Sequence, residues 1–145
     1  TMTKVGFDPL PTYREPDQSP LGDQQLFKKF PLVLTTGARI LYYTHTQHRN
    51  IEGLKRYSPD PFAEIHPKTA GQYGVENGGP IIVESNRGEI YVKALVTEDM
   101  MEGVVSIPHG WSGTANVNIL TDVHCREPIM GYPQMKSQLC SIRKA

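Results

Sequence analysis

Apolar segments in this chain are short, and glycine, proline or asparagine closes each of them within a few residues. Pro31-Leu32-Val33-Leu34-Thr35-Thr36 stops at Gly37, and residues 62–66 stop at Pro67. Ile81-Ile82-Val83-Glu84-Ser85 turns through Asn86-Arg87-Gly88 into Glu89-Ile90-Tyr91-Val92-Lys93-Ala94-Leu95-Val96. Val104-Val105-Ser106-Ile107 stops at Pro108, and a last run spans Leu139 to Ile142. Runs of this length, rich in branched residues and bounded by turn formers, read as strands. About six such strands make the fold mainly β, and their even punctuation favours a small closed barrel over an open parallel sheet. The alternating strand–helix units of a doubly wound dinucleotide fold are missing. Two short helices are expected. One spans 50–57, with Asn50 as its cap and Ile51 and Leu54 on one side. The other runs from Pro67 to Gly74, with proline in its first turn and glycine as its stop.

The 145 residues suffice for one domain. Pro9, Pro11, Pro16 and Pro20 fix the backbone of residues 1–23 and leave few apolar anchors there, so residues 1–29 read as an extended linker or strap and 30–145 as the barrel domain. The opening Thr1-Met2 reads as a fragment excised from a longer protein. No apolar run approaches the roughly 18 residues of a membrane span, so no direct membrane insertion is expected, and no signal-peptide pattern is visible. Cys125 and Cys140 do not make a disulfide framework or a Cys-rich metal knot.

Fifteen basic and fifteen acidic residues cancel, which argues against a nucleic-acid partner. The balance conceals a segregation. Residues 31–59 carry Arg39, Arg49, Lys55 and Arg56 against Glu52; residues 60–103 hold eight acids and three bases; residues 104–145 hold four bases and two acids. Either these charges are simply solvated surface, or the two cationic segments meet around an anion smaller than a nucleic acid.

Phosphate-binding glycine loops, the nucleophile elbow and the zinc-protease helix motif are all absent. The turn Thr35-Thr36-Gly37-Ala38-Arg39 closes the first strand. Glycine there permits close approach of backbone to ligand, and the hydroxyls and guanidinium suit phosphate oxygens. His45-Thr46-Gln47-His48-Arg49 follows. His45, His48 and a distant His109 would make a zinc site, as in a free-standing zinc-dependent hydrolase; a ring of donors around an anionic or heteroaromatic ligand fits the mixture better, and a solvated loop is the plain alternative. Trp111, the only tryptophan, lies in Ile107-Pro108-His109-Gly110-Trp111, placed to cap the barrel or to stack on a ring. Asn116 and Asn118 suit the edge of a pterin or purine, or serve as turn residues. A protein-interaction barrel is a third reading.

Taken together and in order, these residues resemble a known family. Phe30 to Arg39 and His45 to Arg49 look like the entry to the C-terminal domain of molybdopterin oxidoreductases of the dimethyl sulfoxide reductase superfamily. The likeness continues through Glu64-Ile65-His66-Pro67, Val83 to Gly88, Gly103 to Trp111, Asn116 to Thr121 and the tail from Gly131 to Ile142. It is nearest the formate dehydrogenase and acetylene hydratase-like branch. The resemblance implies a double-psi β-barrel that binds bis(molybdopterin guanine dinucleotide) carrying molybdenum or tungsten. It implies as partners the remaining domains of a parent catalytic subunit and an iron–sulfur subunit.

By the same resemblance Thr36, Gly37 and Arg39 match a Thr-Gly-Arg turn that lies against the cofactor, with Thr35 before it a further cofactor-binding candidate. His45, Thr46, Gln47 and His48 match the His-Ser-Glu-His stretch after it, with Thr46 and Gln47 replacing its serine and acid. His109 and Trp111 match a His-Gly-Trp loop, Asn118 the asparagine before Leu-Thr, and Lys136 a late basic residue of the same region. Relatives often carry a second tryptophan and an insertion after the position of Trp111; this chain runs straight to Ser112-Gly113-Thr114. The protein ligand of the metal lies in other domains of that family, so this chain alone is expected not to catalyse.

Overall fold

Alternation along the strands sets which side chains face inward. In the strand Glu89–Val96, Ile90, Val92 and Ala94 are buried while Tyr91, Lys93 and Leu95 are exposed. One buried face on every strand demands closure or a second layer, and here the sheet closes on itself. The computed structural model describes residues 2–10, 12–37 and 40–145. Its strands are β1 (Leu32–Thr36), β2 (Phe62–Ile65), β3 (Pro80–Glu84), β4 (Glu89–Val96), β5 (Val104–Ile107) and β6 (Gln138–Lys144). They form a closed barrel in the order β1-β5-β2-β4-β3-β6. β1·β5 and β2·β4 are parallel and the remaining pairs antiparallel, the double-psi arrangement. The interior is apolar: Leu34, Ala63, Ile65, Val83, Ile90, Val105 and Cys140 are fully buried. Each large aliphatic side chain hidden there contributes about 1.5–3 kcal/mol. Burial pushes the Cys140 thiol far above its ordinary range, so it behaves as a small hydrophobe.

Three short helices are present, α1 (Gln24–Lys29), α2 (Glu52–Lys55) and α3 (Pro67–Gln72). α3 starts as expected with proline in its first turn, is capped by His66 Nδ1 accepting from Lys68 N–H at 3.1 Å, and is followed by Gly74 at φ 63°. α2 is shorter than 50–57. Its cap is Ile51, which makes no side-chain cap bond, so Asn50 does not hold that role.

α1 falls inside the segment read as linker. Asp23 caps it by accepting from Leu26 N–H at 2.8 Å, and its last turn carries Lys28 and Lys29. It rests against β6, where Phe30 and Leu139 are buried outside the barrel interior. Residues 2–5 form a 3₁₀ turn, so the strap is not wholly extended. Gln18 pins it to the barrel by donating to Asp122 Oδ2 at 3.2 Å. Asp122 Oδ1 accepts from His124 N–H at 2.8 Å, and Arg87 Nε stands 4.0 Å away.

Candidate functional site

Strand register decides which loops share an end of the barrel. β1 and β5 run parallel with Thr36 opposite Ile107, so Gly37 and Pro108 leave the sheet together. β6 is antiparallel to β1 with Gln138 opposite Leu34, so Lys136 arrives at that same end. β3 and β4 turn there as well, since Glu84 pairs with Glu89. α3 and Gly103 lie at the opposite end, because β2 and β4 point away from this one.

Gly37 is the centre of the arrangement. Its φ of 92° lies in the region that favours glycine. A Cβ built there would meet His109 Nε2 at 3.4 Å, Lys136 Nζ at 3.7 Å and Met135 Sδ at 3.9 Å. A small open cradle thus has imidazole and ammonium at its rim. Thr36, fully buried, fixes the far side: its N–H donates to Met135 O at 2.7 Å and its hydroxyl to the same oxygen at 3.2 Å.

The loop after Ile40 folds back over the β5 exit. Thr44 and Gln47 pair as an isolated bridge, and His45 and His48 both adopt positive φ, 54° and 70°. Left-handed non-glycine residues cost about 1–2 kcal/mol each, so packing must hold this turn. The packing is visible at Gly110, where an added Cβ would lie 2.2 Å from His45 O. The His45 and His109 rings sit 5.8 Å apart, tilted by 44°. Arg49 donates from Nη1 to Gly110 O and lays its guanidinium 5.0 Å from the Trp111 ring centre. Trp111 packs on the barrel core, yet its buried Nε1 has no hydrogen-bond partner among the described residues.

The other expected residues take different places. Thr35 is on the outer face of β1 in the row Thr35–Ser106–Glu64, where the Ser106 hydroxyl donates to Glu64 at 2.8 Å. Thr46, Gln47 and His48 are exposed. Asn118 is exposed at the hairpin side of the same end, next to Ile119, which abuts Gly88. Asn116 there is the turn residue, accepting from Asn118 N–H at 3.1 Å. Arg39 lies outside the described residues. Arg49 belongs to the His45–Arg49 motif, but its bond to Gly110 O is not legible in the sequence, and Gln138, on the first position of β6, was not among the expected residues. Polarity in an otherwise apolar alternation was the signal for the latter.

Charge at this end is available to a ligand. Among the described residues Arg49 and Lys136 make no ion pair, whereas Lys68–Glu102 and Lys93–Asp60 pair at 2.6 Å elsewhere, and Glu89 beside the β3–β4 turn is taken by Arg143 at 2.7 Å. No group of three or more His, Cys, Asp or Glu among the described residues is arranged to hold a metal. A cavity of about 770 Å³ opens elsewhere, between the strap (Phe7, Leu10, Arg14) and the segment carrying Cys125 and Ile129. None of the residues expected at the site lines it, and within it Arg14 pairs with Asp8 of the same strap at 3.1 Å.

The chain belongs to the molydopterin dinucleotide binding domain family, whose model matches residues 32–139. A dopamine dehydroxylase of Eggerthella lenta is 34% identical over 94% of this chain and 14% of its own length. The alpha subunit of an F420-dependent formate dehydrogenase from Methanocaldococcus jannaschii is 38% identical over 80% of this chain and 17% of its own. The structure of acetylene hydratase from Pelobacter acetylenicus superposes with a TM-score of 0.91 at 29% identity, covering 99% of this chain and 22% of that one. The chain therefore spans between about a seventh and about a fifth of the length of these relatives.

Proposed function

We propose that this chain is the domain of a molybdenum or tungsten oxidoreductase catalytic subunit that grips bis(molybdopterin guanine dinucleotide). The observation that carries this reading is the convergence of Gly37, His109 and Lys136 in one cradle at the end of the barrel. The residues fit the group. A glycine at positive φ, a lysine that makes no ion pair and a buried indole N–H with no acceptor among the described residues suit pyrophosphate oxygens and polar ring edges. Gly37 and Lys136 would hold one arm, Thr36 fixing the turn beneath them through its bonds to Met135 O, with His45, His109 and Asn118 offering donors and acceptors to the rings. Arg49 holds Gly110, against which His45 packs, and covers Trp111. When bound, the cofactor supplies the redox or hydration chemistry of its metal; this chain's part is orientation and charge neutralisation. Other domains of the parent subunit would complete the socket, and an iron–sulfur subunit is a further expected partner.

Titration with a guanosine diphosphate or molybdopterin guanine dinucleotide, followed by backbone amide shifts, tests the reading. Shifts at Gly37, His45, His109 and Asn118 are expected. Silence there at millimolar ligand would overturn it. The zinc-hydrolase reading draws no support from the geometry, since His48 is exposed on a separate turn from the His45–His109 pair.

A further inference from the structure

Gln138 is 2% exposed, and neither Oε1 nor Nε2 of its carboxamide has a hydrogen-bond partner among the described residues. Native folds satisfy nearly all buried polar groups, so an orphaned amide calls for an explanation. Its place in the fold supplies one. Gln138 shares the inward row of β6 with Cys140 and Ile142, both members of the core. It is the innermost-facing residue of β6 nearest the site, opposite Leu34; Thr36 and Ile107 end the corresponding rows of β1 and β5. Two residues before it, Lys136 reaches Gly37. The amide therefore belongs to the floor beneath the cradle. A leucine or methionine would fill that position without leaving a donor and an acceptor unmet.

We propose that Gln138 is a specificity residue, its carboxamide reading the lactam edge of a 2-amino-4-oxopyrimidine ring seated in the cradle. Nε2 would donate to the ring carbonyl while Oε1 accepts from the adjacent ring N–H. Both pterin and guanine present that edge, so the shared chemistry is the proposal. It rests on the cofactor reading above. For a ring to reach the amide, the irregular segment above it, Met135 to Ser137, must move off Thr36, whose N–H and hydroxyl donate to Met135 O.

The test compares the wild-type chain with Gln138→Met by calorimetric titration with neopterin, GMP, IMP and AMP, and by thermal melting without ligand. GMP and IMP share the lactam edge; AMP lacks it. The expected result is a loss of about five- to thirty-fold in affinity for a lactam ligand, the factor equivalent to 1–2 kcal/mol, with AMP unaffected and the melting midpoint equal or higher. A loss confined to neopterin assigns the pterin half, and one confined to GMP and IMP the guanine half. Equal affinities in the two proteins would overturn the proposal, as would a lowered midpoint with unchanged affinity, which marks an amide serving only a buried water. Should Gln138→Met not fold, the side-chain amide resonance of wild-type Gln138 decides: it must shift on saturation, and an unmoved signal refutes the contact. If wild-type protein binds none of the four, the cofactor reading falls and this one with it.

Discussion

Replacing Gly110 with alanine tests whether the His45 loop is packed as a unit on the β5 exit. A Cβ at Gly110 would lie 2.2 Å from His45 O and 2.6 Å from His45 C, far inside the roughly 3.5 Å at which atoms meet comfortably. Both are backbone atoms, so no rotamer change relieves the clash. The cheaper route is retreat of the loop, and its cost is what the loop then forfeits. Arg49 loses Gly110 O, a charge-assisted bond at a half-buried site worth about 1.5 kcal/mol. It also leaves the Trp111 ring, about 0.5–1 kcal/mol. Alanine at φ 105° adds about 1–2 kcal/mol. A total of about 3–4.5 kcal/mol corresponds to a fall of about 10–16 °C in Tm for a chain of this size. Gly113→Ala is the control: at φ 64° with nothing within 4 Å, it carries only the conformational part. Urea melts of the three proteins, with histidine ring resonances followed alongside, read both effects. The reasoning is refuted if Gly110→Ala costs no more than Gly113→Ala and the His45 and His109 signals stay where they were.

Leu34→Ala, at a fully buried interior position, is expected to cost about 2–5 kcal/mol in a urea melt, whereas Leu41→Ala, at 94% exposure, should stay within about 0.5 kcal/mol. Arg49→Ala should change the emission of Trp111, the only tryptophan, and Arg49→Lys should not fully restore it, because lysine lacks the planar fork. Asp122 is held below its ordinary value of 3.8, first by the His124 N–H and also by Gln18 and Arg87. A carboxylate so held stabilises the fold above pH 3.8 and gives that up as pH falls through its lower folded value. The stability gap between wild type and Asp122→Asn should therefore shrink below pH 3.8; an equal gap at pH 3 and pH 6 would contradict the anchor.

The strands were readable because each is a short buried run ended by a turn residue. β1, β3 and β4 lie within a residue of their expected bounds, and β5 matches. β6 starts one residue before the apolar run, at Gln138, and there polarity hid a strand position. α1 was hidden by the prolines preceding it, although Asp23 and the closing lysines are ordinary helix signals. What no local pattern carries is the meeting of Thr36 with Met135, 99 residues apart along the chain. Gly37, His109 and Lys136 could each be singled out by residue type and by family likeness, but their sharing of one cradle is a product of strand register. Thr35 illustrates the limit in the other direction: alternation alone places it on the face opposite Thr36.

Register also explains how a chain with no net charge can gather cations around Gly37. β4 begins at the cradle end and carries the chain away from it, so Glu98, Asp99 and Glu102, which follow β4, are delivered to the far side. Glu102 is engaged there by Lys68 at 2.6 Å. β5 returns and delivers His109, and β6 begins where Lys136 stands. Because β1 and β5 are parallel, their exits coincide, and the long connections this requires bring Arg49 and Lys136 to the same rim. Total charge is zero in solution, yet the local field at Gly37 comes from an ammonium nearby with no acid bound to it among the described residues. Reversing β1 against β5 would part Gly37 from His109 and dissolve the cradle, so the barrel's topology, rather than its composition, is what brings these residues together.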